Sequence, residues 1–336
     1  MKRIAQRLVY LSIVPALLVY ATSCISFGKY DIVYETGTFP DTVINLTGAN
    51  SRYDDYNSAG PPTIGYNFGL IFSTNRGTEG LEYDLISYEL YVSFDQTYGN
   101  LEIYPSEMAY PFFYLADLAN SDDSEFGPYL IPFLTSDFLF TFASNRTGDM
   151  DIYASHFDQN SFGGGSMADP TPFRLKGINS DKYDAYATFI ADASEIFFCS
   201  NREGDLDIYS HKIEHGDNLL IWAREDTVYQ VENRMELNSP AEDACPYING
   251  ILMVFASKRE GGYGGYDLYY SQLSEEGWST PVNFGPDINT EHDEFRPVAF
   301  HAPKFDNDLM VFSSNRPGGI GGFDLYYVGI PKLMTQ

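Results

Sequence analysis

Short apolar segments rich in Val, Ile, Phe and Tyr recur along this chain, and Gly, Asn, Asp or Pro residues separate them. One set of segments ends just before an arginine, as in FLFTFASNR, EIFFCSNR and LMVFSSNR. A second set begins at an aspartate, as in DIYASHF, DIYSHKI and DLYYVGI. Short runs of β-branched and aromatic residues between turn residues are typical of β-strands. The pattern therefore predicts an all-β protein.

The two sets recur in register, which indicates an internal repeat. The arginines follow one another at spacings of 70, 56, 57 and 57 residues. They are Arg76, Arg146, Arg202, Arg259 and Arg316. An aspartate follows five or eight residues later, at Asp84, Asp151, Asp207, Asp267 and Asp324. An Arg-turn-Asp connection thus joins two strands five times.

A second landmark precedes each of these strand pairs. Asn-Ser or Asn-Thr occurs at Asn50, Asn120, Asn179, Asn238 and Asn289. An acidic residue follows five positions later, at Asp55, Glu125, Asp184, Asp243 and Glu294. Together the landmarks predict five units of four strands, near residues 41–119, 120–178, 179–237, 238–288 and 289–332.

Radial repetition of four-stranded sheets is the architecture of a β-propeller. The amino-acid sequence of the units resembles that of the WD-like repeats of the TolB-type propeller family, which carry a Ser-x-Arg-x-Gly-Gly…Asp-[Ile/Leu]-Tyr signature. The resemblance covers roughly residues 42–330 and implies a propeller, here with five blades. The unmatched segment DTVINLTG (Asp41–Gly48) can supply the last strand of the fifth blade and so close the ring.

The motif residues are expected to gather on one face of the ring, because the turns that carry them lie at the same end of the strands. An arginine can hold a carboxylate at two points, so Arg316 could tie Glu294 or Asp324 across the turns. A role repeated five times favours fold maintenance over chemistry. The glycine loops do not fit a phosphate cradle, because they run from strand to strand and not into a helix.

Candidate metal ligands are few, and no cofactor is expected. His211 and His215 are four residues apart, but they follow a strand, which favours solvated loop histidines over a metal pair. The segments Gly148–Asp151 and Gly204–Asp207 hold closely spaced carboxylates that could bind a hard cation. Turn acids bonded to arginine are the favoured interpretation there.

The first residues differ in character from the rest of the chain. Lys2, Arg3 and Arg7 precede an apolar run that ends in Ala-Thr-Ser before Cys24, which resembles a bacterial lipoprotein signal. That resemblance implies a signal peptide over residues 1–23, a lipid on Cys24, a linker over 24–40 and the propeller over 41–332. A plain signal peptide or an N-terminal membrane anchor is the alternative. Ile25 after the cysteine suggests sorting to the outer membrane, with the lipid as the membrane attachment.

The net charge of −27 argues against nucleic acid as a partner, because no basic patch is present to neutralise phosphates. Cys199 and Cys245 lie in apolar, strand-like segments. Buried free thiols are therefore favoured over a disulfide.

No catalytic constellation stands out, so the expected function is a non-enzymatic protein-binding scaffold of the outer envelope with envelope proteins as partners. The alternative is a glycosidase-like or lectin-like propeller that uses central carboxylates and aromatics on a glycan. The units differ most over Tyr88–Ala119, where exposed aromatic residues would form a partner surface: Tyr104, Tyr110, Phe112, Phe113 and Tyr114. An outer strand with inward-packed aromatics is the other interpretation of that segment.

Overall fold

The computed structural model describes residues 33–107, 112–132, 137–158, 170–214 and 219–334. These residues form five small antiparallel sheets around a common axis, which confirms the predicted five-bladed β-propeller. Two short helices, α1 (Phe112–Ala119) and α2 (Leu219–Arg224), lie in connections. Among the described residues, no helix has the length and apolarity needed to cross a membrane.

Each blade places its strands in sequence order from the axis outward. The innermost strands are β2 (Asp55–Ala59), β6 (Glu125–Pro132), β10 (Asp184–Phe189), β14 (Asp243–Asn249) and β19 (Glu294–Phe300). The second strands are β3 (Asn67–Thr74), β7 (Asp137–Ser144), β11 (Glu195–Ser200), β15 (Leu252–Ser257) and β20 (Asp308–Ser314). The third strands are β4 (Asp84–Phe94), β8 (Asp151–Asp158), β12 (Asp207–Lys212), β16 (Asp267–Ser274) and β21 (Asp324–Ile330).

The fourth strands are mostly very short. They are β5 (Leu101–Glu107), β9 (Phe173–Arg174), β13 (Glu232–Asn233), β18 (Val282–Asn283) and β1 (Ile44–Asn45). In the fourth blade a further strand, β17 (Gly277–Trp278), forms a hairpin with the end of β16. Every innermost strand begins at a motif acid and every third strand begins at a motif aspartate, so the sequence landmarks mark strand starts.

The ring closes through its N-terminal strand, as the sequence predicts. β1 pairs antiparallel with β21, with Ile44 opposite Tyr327 and Asn45 opposite Tyr326. The preceding residues add contacts to the same blade, since Thr36 Oγ1 donates to Asp306 at 2.6 Å. Chain start and chain end thus share one sheet, and this covers the edge that β21 would otherwise expose.

The hydrophobic core lies within and between the blades, because each sheet buries residues on both faces. β15 and β20 are buried along their whole length. Buried aromatic side chains such as Phe72, Phe198 and Phe312 fill the space between successive sheets. Strands that are covered on both sides become continuous apolar runs, which explains why the second strands lack polar alternation.

A β-bulge interrupts every innermost strand at the same place. The register of each shifts after the second residue. The residue two positions after the motif acid has a left-handed φ between 46° and 60° in all five blades. These bulge residues are Asn57, Gly127, Tyr186, Cys245 and Arg296. Bulges turn a side chain away from the regular alternation, and here the side chains of Asn57, Tyr186 and Arg296 make contacts across the centre of the ring.

Candidate functional site

The five motif arginines hold the motif face of the ring together. Each guanidinium contacts the acid that begins its own innermost strand, at N···O distances of 2.5–2.9 Å. Each Nε donates to the Ser or Thr at the end of the second strand. The same guanidinium also donates to the carbonyl that precedes the motif asparagine. All five acids are fully buried, so this set of carboxylates is occupied by arginine and offers nothing to a ligand.

The motif asparagines connect neighbouring blades. The Asn50 side chain accepts a hydrogen bond from Leu325 N at 2.8 Å and donates one to Leu325 O at 3.0 Å. The other four asparagines bracket the equivalent residue of the preceding blade in the same way. Such a two-point bond requires an amide, which explains why asparagine and not aspartate occupies this position.

The motif aspartates that begin the third strands have partners other than the motif arginines. Asp324 accepts from Asn45 Nδ2 at 2.8 Å, whereas Arg316 contacts Glu294. Asp151 is held by Arg174 through two bonds of 2.6 Å. Asp207 and Asp267 accept from asparagines of their own fourth strands. Asp84 is the exception, because no side-chain hydrogen bond reaches it from the described residues.

The bulge residues close the axis of the ring. Asn57 Nδ2 approaches the Tyr186 hydroxyl at 3.5 Å, which joins the first and third blades across the centre. Arg296 is fully buried and donates to the carbonyls of Pro246 at 2.9 Å and Pro128 at 3.2 Å. These bonds cross the centre of the ring, so the axis is blocked in its middle.

Aromatic side chains gather at the motif-face end of the axis, and we call this surface the axial mouth. Two aromatic positions recur there, one directly after the innermost-strand acid and one directly before the third-strand aspartate. The side chains concerned are partly exposed: Tyr56, Tyr83, Phe126, Tyr266, Phe295 and Phe323. They contact one another with ring centroids 4.9–5.9 Å apart. Such contacts fix the rings at the geometry that aromatic pairs prefer.

Two carboxylates at the rim of this mouth are paired with tyrosine hydroxyls. Tyr83 donates to Asp54 at 2.6 Å, and Tyr266 donates to Glu242 at 2.7 Å. Lys258 also contacts Glu242, and the ammonium and the phenol together lower the pKa of that carboxyl. Both acids are partly exposed, and each keeps lone pairs for a further donor. The mouth thus combines flat apolar surfaces with carboxyl groups that can accept hydrogen bonds.

The opposite end of the axis holds a depression of about 120 Å³. Tyr129, Phe189 and Tyr247 line it together with Asn249. The Asn249 amide donates to the carbonyls of Pro62 and Ala299, so its donors are satisfied by the protein.

The segment Tyr88–Ala119, where the five units differ most, was expected to expose its aromatic residues as a partner surface or to pack them inward. The structure shows some of each. Tyr104 lies on β5, is 48% exposed and stacks on Tyr91 at 5.3 Å. Phe113 and Tyr114 lie on α1 and are each 47% exposed. Phe112 begins α1, and Tyr110 lies outside the described residues. Helix α1 also buries Leu115 and Ala116 against the blades, so this segment is packed and exposed on different sides.

Three of the candidate metal ligands, His211, Asp151 and Asp207, contact other groups of the protein. His211 lies at the end of β12, where Nδ1 is 3.0 Å from Gln230 O and the ring stacks on Tyr229 at 4.4 Å. His215 lies outside the described residues. Asp151 and Asp207 bind Arg174 and Asn233, as described above. In the described part of the chain, no cluster of three or more His, Cys, Asp or Glu residues could hold a metal.

The two cysteines are buried free thiols. Cys199 Sγ accepts a hydrogen bond from the Cys245 backbone N at 2.8 Å. Burial raises the pKa of both thiols, and this protonated state makes them poor nucleophiles.

Comparisons with known proteins identify the fold. No protein-family model and no curated protein sequence matches this chain. Among solved structures, an α-L-arabinofuranosidase from Podospora anserina is similar over 90% of this chain and 99% of its own, with a TM-score of 0.50 and 12% identity. The catalytic domain of an α-L-arabinofuranosidase from Coprinopsis cinerea is similar over 88% of this chain and 98% of its own, with a TM-score of 0.50 and 10% identity. A thermostable family-43 glycoside hydrolase is similar over 86% of this chain and 96% of its own, with a TM-score of 0.51 and 10% identity.

These comparisons correct three expectations. The three similar structures named above are glycoside hydrolases and not the TolB-type proteins that the repeat sequence resembles. The expectations of a protein-binding scaffold and of a non-enzymatic protein are contradicted. The physical reason is visible in the site. The Arg, Asn and acid landmarks that carry the resemblance hold blades together, so they report on ring assembly and not on what the ring binds.

Proposed function

We propose that this protein is a glycan-active propeller that binds a carbohydrate at the axial mouth. The observation that carries the proposal is the combination of partly exposed aromatic rings with two rim carboxylates, Asp54 and Glu242. The C–H face of a sugar ring packs on an aromatic ring, and sugar hydroxyls donate to carboxylates. The likeness in fold to arabinofuranosidases supports the same class of ligand.

We assign the carboxyl groups of Asp54 and Glu242 to the reaction as well. Hydrolysis of a glycosidic bond uses two carboxyl groups on either side of that bond, one to donate a proton and one to act as base or nucleophile. Glu242 suits the second role, because its lowered pKa keeps it ionised. The five innermost-strand acids are excluded from both roles by their arginine partners.

The test is a panel of neutral oligosaccharides that includes arabinofuranosides, scored for binding and for release of reducing sugar. We expect saturable binding of at least one member and turnover that falls about 10²–10⁴-fold in Glu242→Gln. Glu276→Gln, an exposed acid of the fourth blade, serves as the matched control and should keep full activity. If the protein neither binds nor hydrolyses any member of the panel, the proposal is refuted.

We also propose that the protein is attached to the outer membrane by a lipid on Cys24. The support is the sequence: basic residues, a short apolar run and small residues directly before the cysteine. We expect radiolabelled fatty acid to be incorporated by the native protein and not by Cys24→Ala, which should leave the membrane fraction. Equal incorporation by both would contradict the anchor. A protein partner in the envelope remains a separate proposal, for which crosslinking in native membranes is the test.

A further inference from the structure

The residue directly before the motif arginine is an asparagine in four blades and a lysine in the fourth. Each asparagine side chain accepts the backbone N–H of the residue that precedes the motif acid of its own blade, at 2.9–3.0 Å. These asparagines are Asn75, Asn145, Asn201 and Asn315. In four blades this position therefore ties the end of the second strand to the start of the innermost strand.

Lys258 occupies this position in the fourth blade and makes a different contact. A lysine side chain has no acceptor, and no other described group accepts the backbone N–H of Glu242. Instead, the Lys258 ammonium lies 2.5 Å from Glu242 Oε2 and 4.3 Å from the centre of the Tyr266 ring. The fourth blade thus has an ion pair at the axial mouth where the other blades have a turn hydrogen bond.

The contribution of this ion pair to folding does not explain the exchange. Both side chains are partly exposed, at 44% for Lys258 and 37% for Glu242. Ion pairs that water reaches add little to stability, whereas the loss of a hydrogen bond to the backbone has a cost. Departures from a repeated structural pattern are expected at functional sites. We therefore expect the lysine to serve the mouth and not the fold.

Glu242 departs from the pattern as well. In the first and fifth blades the acid at this position, Asp54 or Asp293, accepts the backbone N–H that precedes the third-strand aspartate of the neighbouring blade, at 2.9 Å. No described backbone N–H of the third blade donates to Glu242 in this way. Oε2 of Glu242 accepts from Lys258 and Tyr266, and Oε1 has no donor among the described residues. One carboxylate oxygen is thus held by the protein, and the other remains available to a ligand.

We propose that Lys258 is a positioning residue of the axial mouth, which holds the Glu242 carboxylate so that Oε1 faces the glycan. This inference rests on the proposed function, because it assigns a role within the same mouth. The ammonium favours the ionised carboxylate and, together with the Tyr266 hydroxyl, fixes its orientation. Both groups lower the pKa of Glu242, whereas Asp243, the next acid along the chain, is paired with Arg259.

Titration of the Glu242 carboxyl by ¹³C NMR, in the full chain without ligand, tests this role. Comparison with Glu242→Gln identifies the signal. We expect the pKa to rise in Lys258→Asn and to return in Lys258→Arg, because arginine restores the cation and asparagine does not. Lys212→Asn, the same substitution at an exposed position of the third blade, is the matched control and should leave the Glu242 titration unchanged.

Urea denaturation separates this role from a structural one. Lys258→Asn introduces the residue that caps the other four turns, so it should unfold at the same urea concentration as the unaltered chain or at a higher one. Asn201→Ala removes such a cap and should unfold at a lower concentration. A lower stability of Lys258→Asn would show that the lysine serves the fold, and it would overturn the proposal.

Ligand binding completes the test. The best oligosaccharide of the panel should bind at least tenfold more weakly to Lys258→Asn and within threefold of the unaltered affinity to Lys258→Arg. An unchanged Glu242 titration in Lys258→Asn, or an unchanged affinity, would overturn the proposal. If no oligosaccharide of the panel binds, the glycan function fails, whereas the titration of the unliganded protein still decides whether Lys258 holds this carboxylate.

Discussion

At the scale of single residues, each of the five blades buries one carboxylate at the start of its innermost strand and pairs it with an arginine. Asp184 is fully buried and is balanced by Arg202 at 2.6 Å. The arginine also bonds Ser200 and the Ile178 carbonyl, and its guanidinium lies about 5 Å from the rings of Phe198 and Tyr209. Breaking such a pair from one side leaves an uncompensated buried charge, which is far more costly than never having the pair.

We predict that Arg202→Ala lowers the free energy of unfolding by about 3–5 kcal/mol, because Asp184 then stays buried without a cation. Urea denaturation measures the change. The double variant with Asp184→Asn should recover part of the loss. Lys212→Ala, an exposed basic residue of the same blade, should change stability by less than about 0.5 kcal/mol.

Residue roles were only partly predictable from the sequence. The pairing of Arg316 with Glu294 was one of two options that the spacing allowed, and the structure selects it. The aromatic residues of the mouth sit at fixed positions beside the motif acids, as in DDY, SEF and DEF or in EYD, GYD and GFD. These residues can be read from the sequence, but neighbours in sequence do not reveal that four of the five blades bring their side chains to one place.

At the scale of elements, the bulge in each innermost strand decides what reaches the axis. All five bulge residues adopt a left-handed φ, and four of them are not glycine. Backbone in this region costs energy for residues with a Cβ and persists only where the surroundings impose it. The pattern of hydrophobic and polar residues does not predict a bulge. A strand with a bulge contains the same types of residue as a regular strand, and only its register with the neighbouring strand changes. The blocked axis was therefore beyond sequence-based prediction.

We predict that Gly127→Ala destabilises the fold more than its backbone strain alone explains. A Cβ at this position would lie 2.4 Å from Tyr186 Cδ1, so the central ring would have to move. Gly318→Ala is the matched control, since its φ is also positive at 93° and nothing lies within 4 Å. We expect a loss of about 2–4 kcal/mol for the first variant and about 1 kcal/mol for the second, measured by urea denaturation. Equal losses would mean that the axis tolerates repacking.

At the scale of the whole molecule, the repeat made the architecture predictable. Two landmarks in constant register gave the number of blades, and the unmatched segment at Asp41–Gly48 gave the closure, which β1 provides. Function was not predictable in this way. The repeated residues serve ring assembly, whereas ligand contacts depend on the positions where the five copies differ.

Closure should be measurable as cooperativity of the ring. A chain that begins at Gly48 lacks β1 and leaves the outer edge of β21 open, so we predict a stability loss on the order of 3–5 kcal/mol and self-association through that edge. Size-exclusion chromatography and thermal unfolding report both effects. A chain that begins at Val33 retains β1 and is the control. Addition of a peptide of residues 41–48 should restore part of the stability, and a monomeric, equally stable truncation would contradict the role of β1.

The central claim is that a glycan binds at the axial mouth. Calorimetric titration of the best oligosaccharide from the panel into four proteins tests it most directly: the unaltered chain, Asp54→Asn, Phe295→Ala and Phe113→Ala. Loss of a charge-assisted bond or of an aromatic platform should weaken binding about tenfold in Asp54→Asn and Phe295→Ala. Phe113→Ala, which changes an exposed side chain of helix α1 outside the mouth, should bind as tightly as the unaltered chain. Equal affinity of all four proteins, or loss confined to Phe113→Ala, would contradict the account.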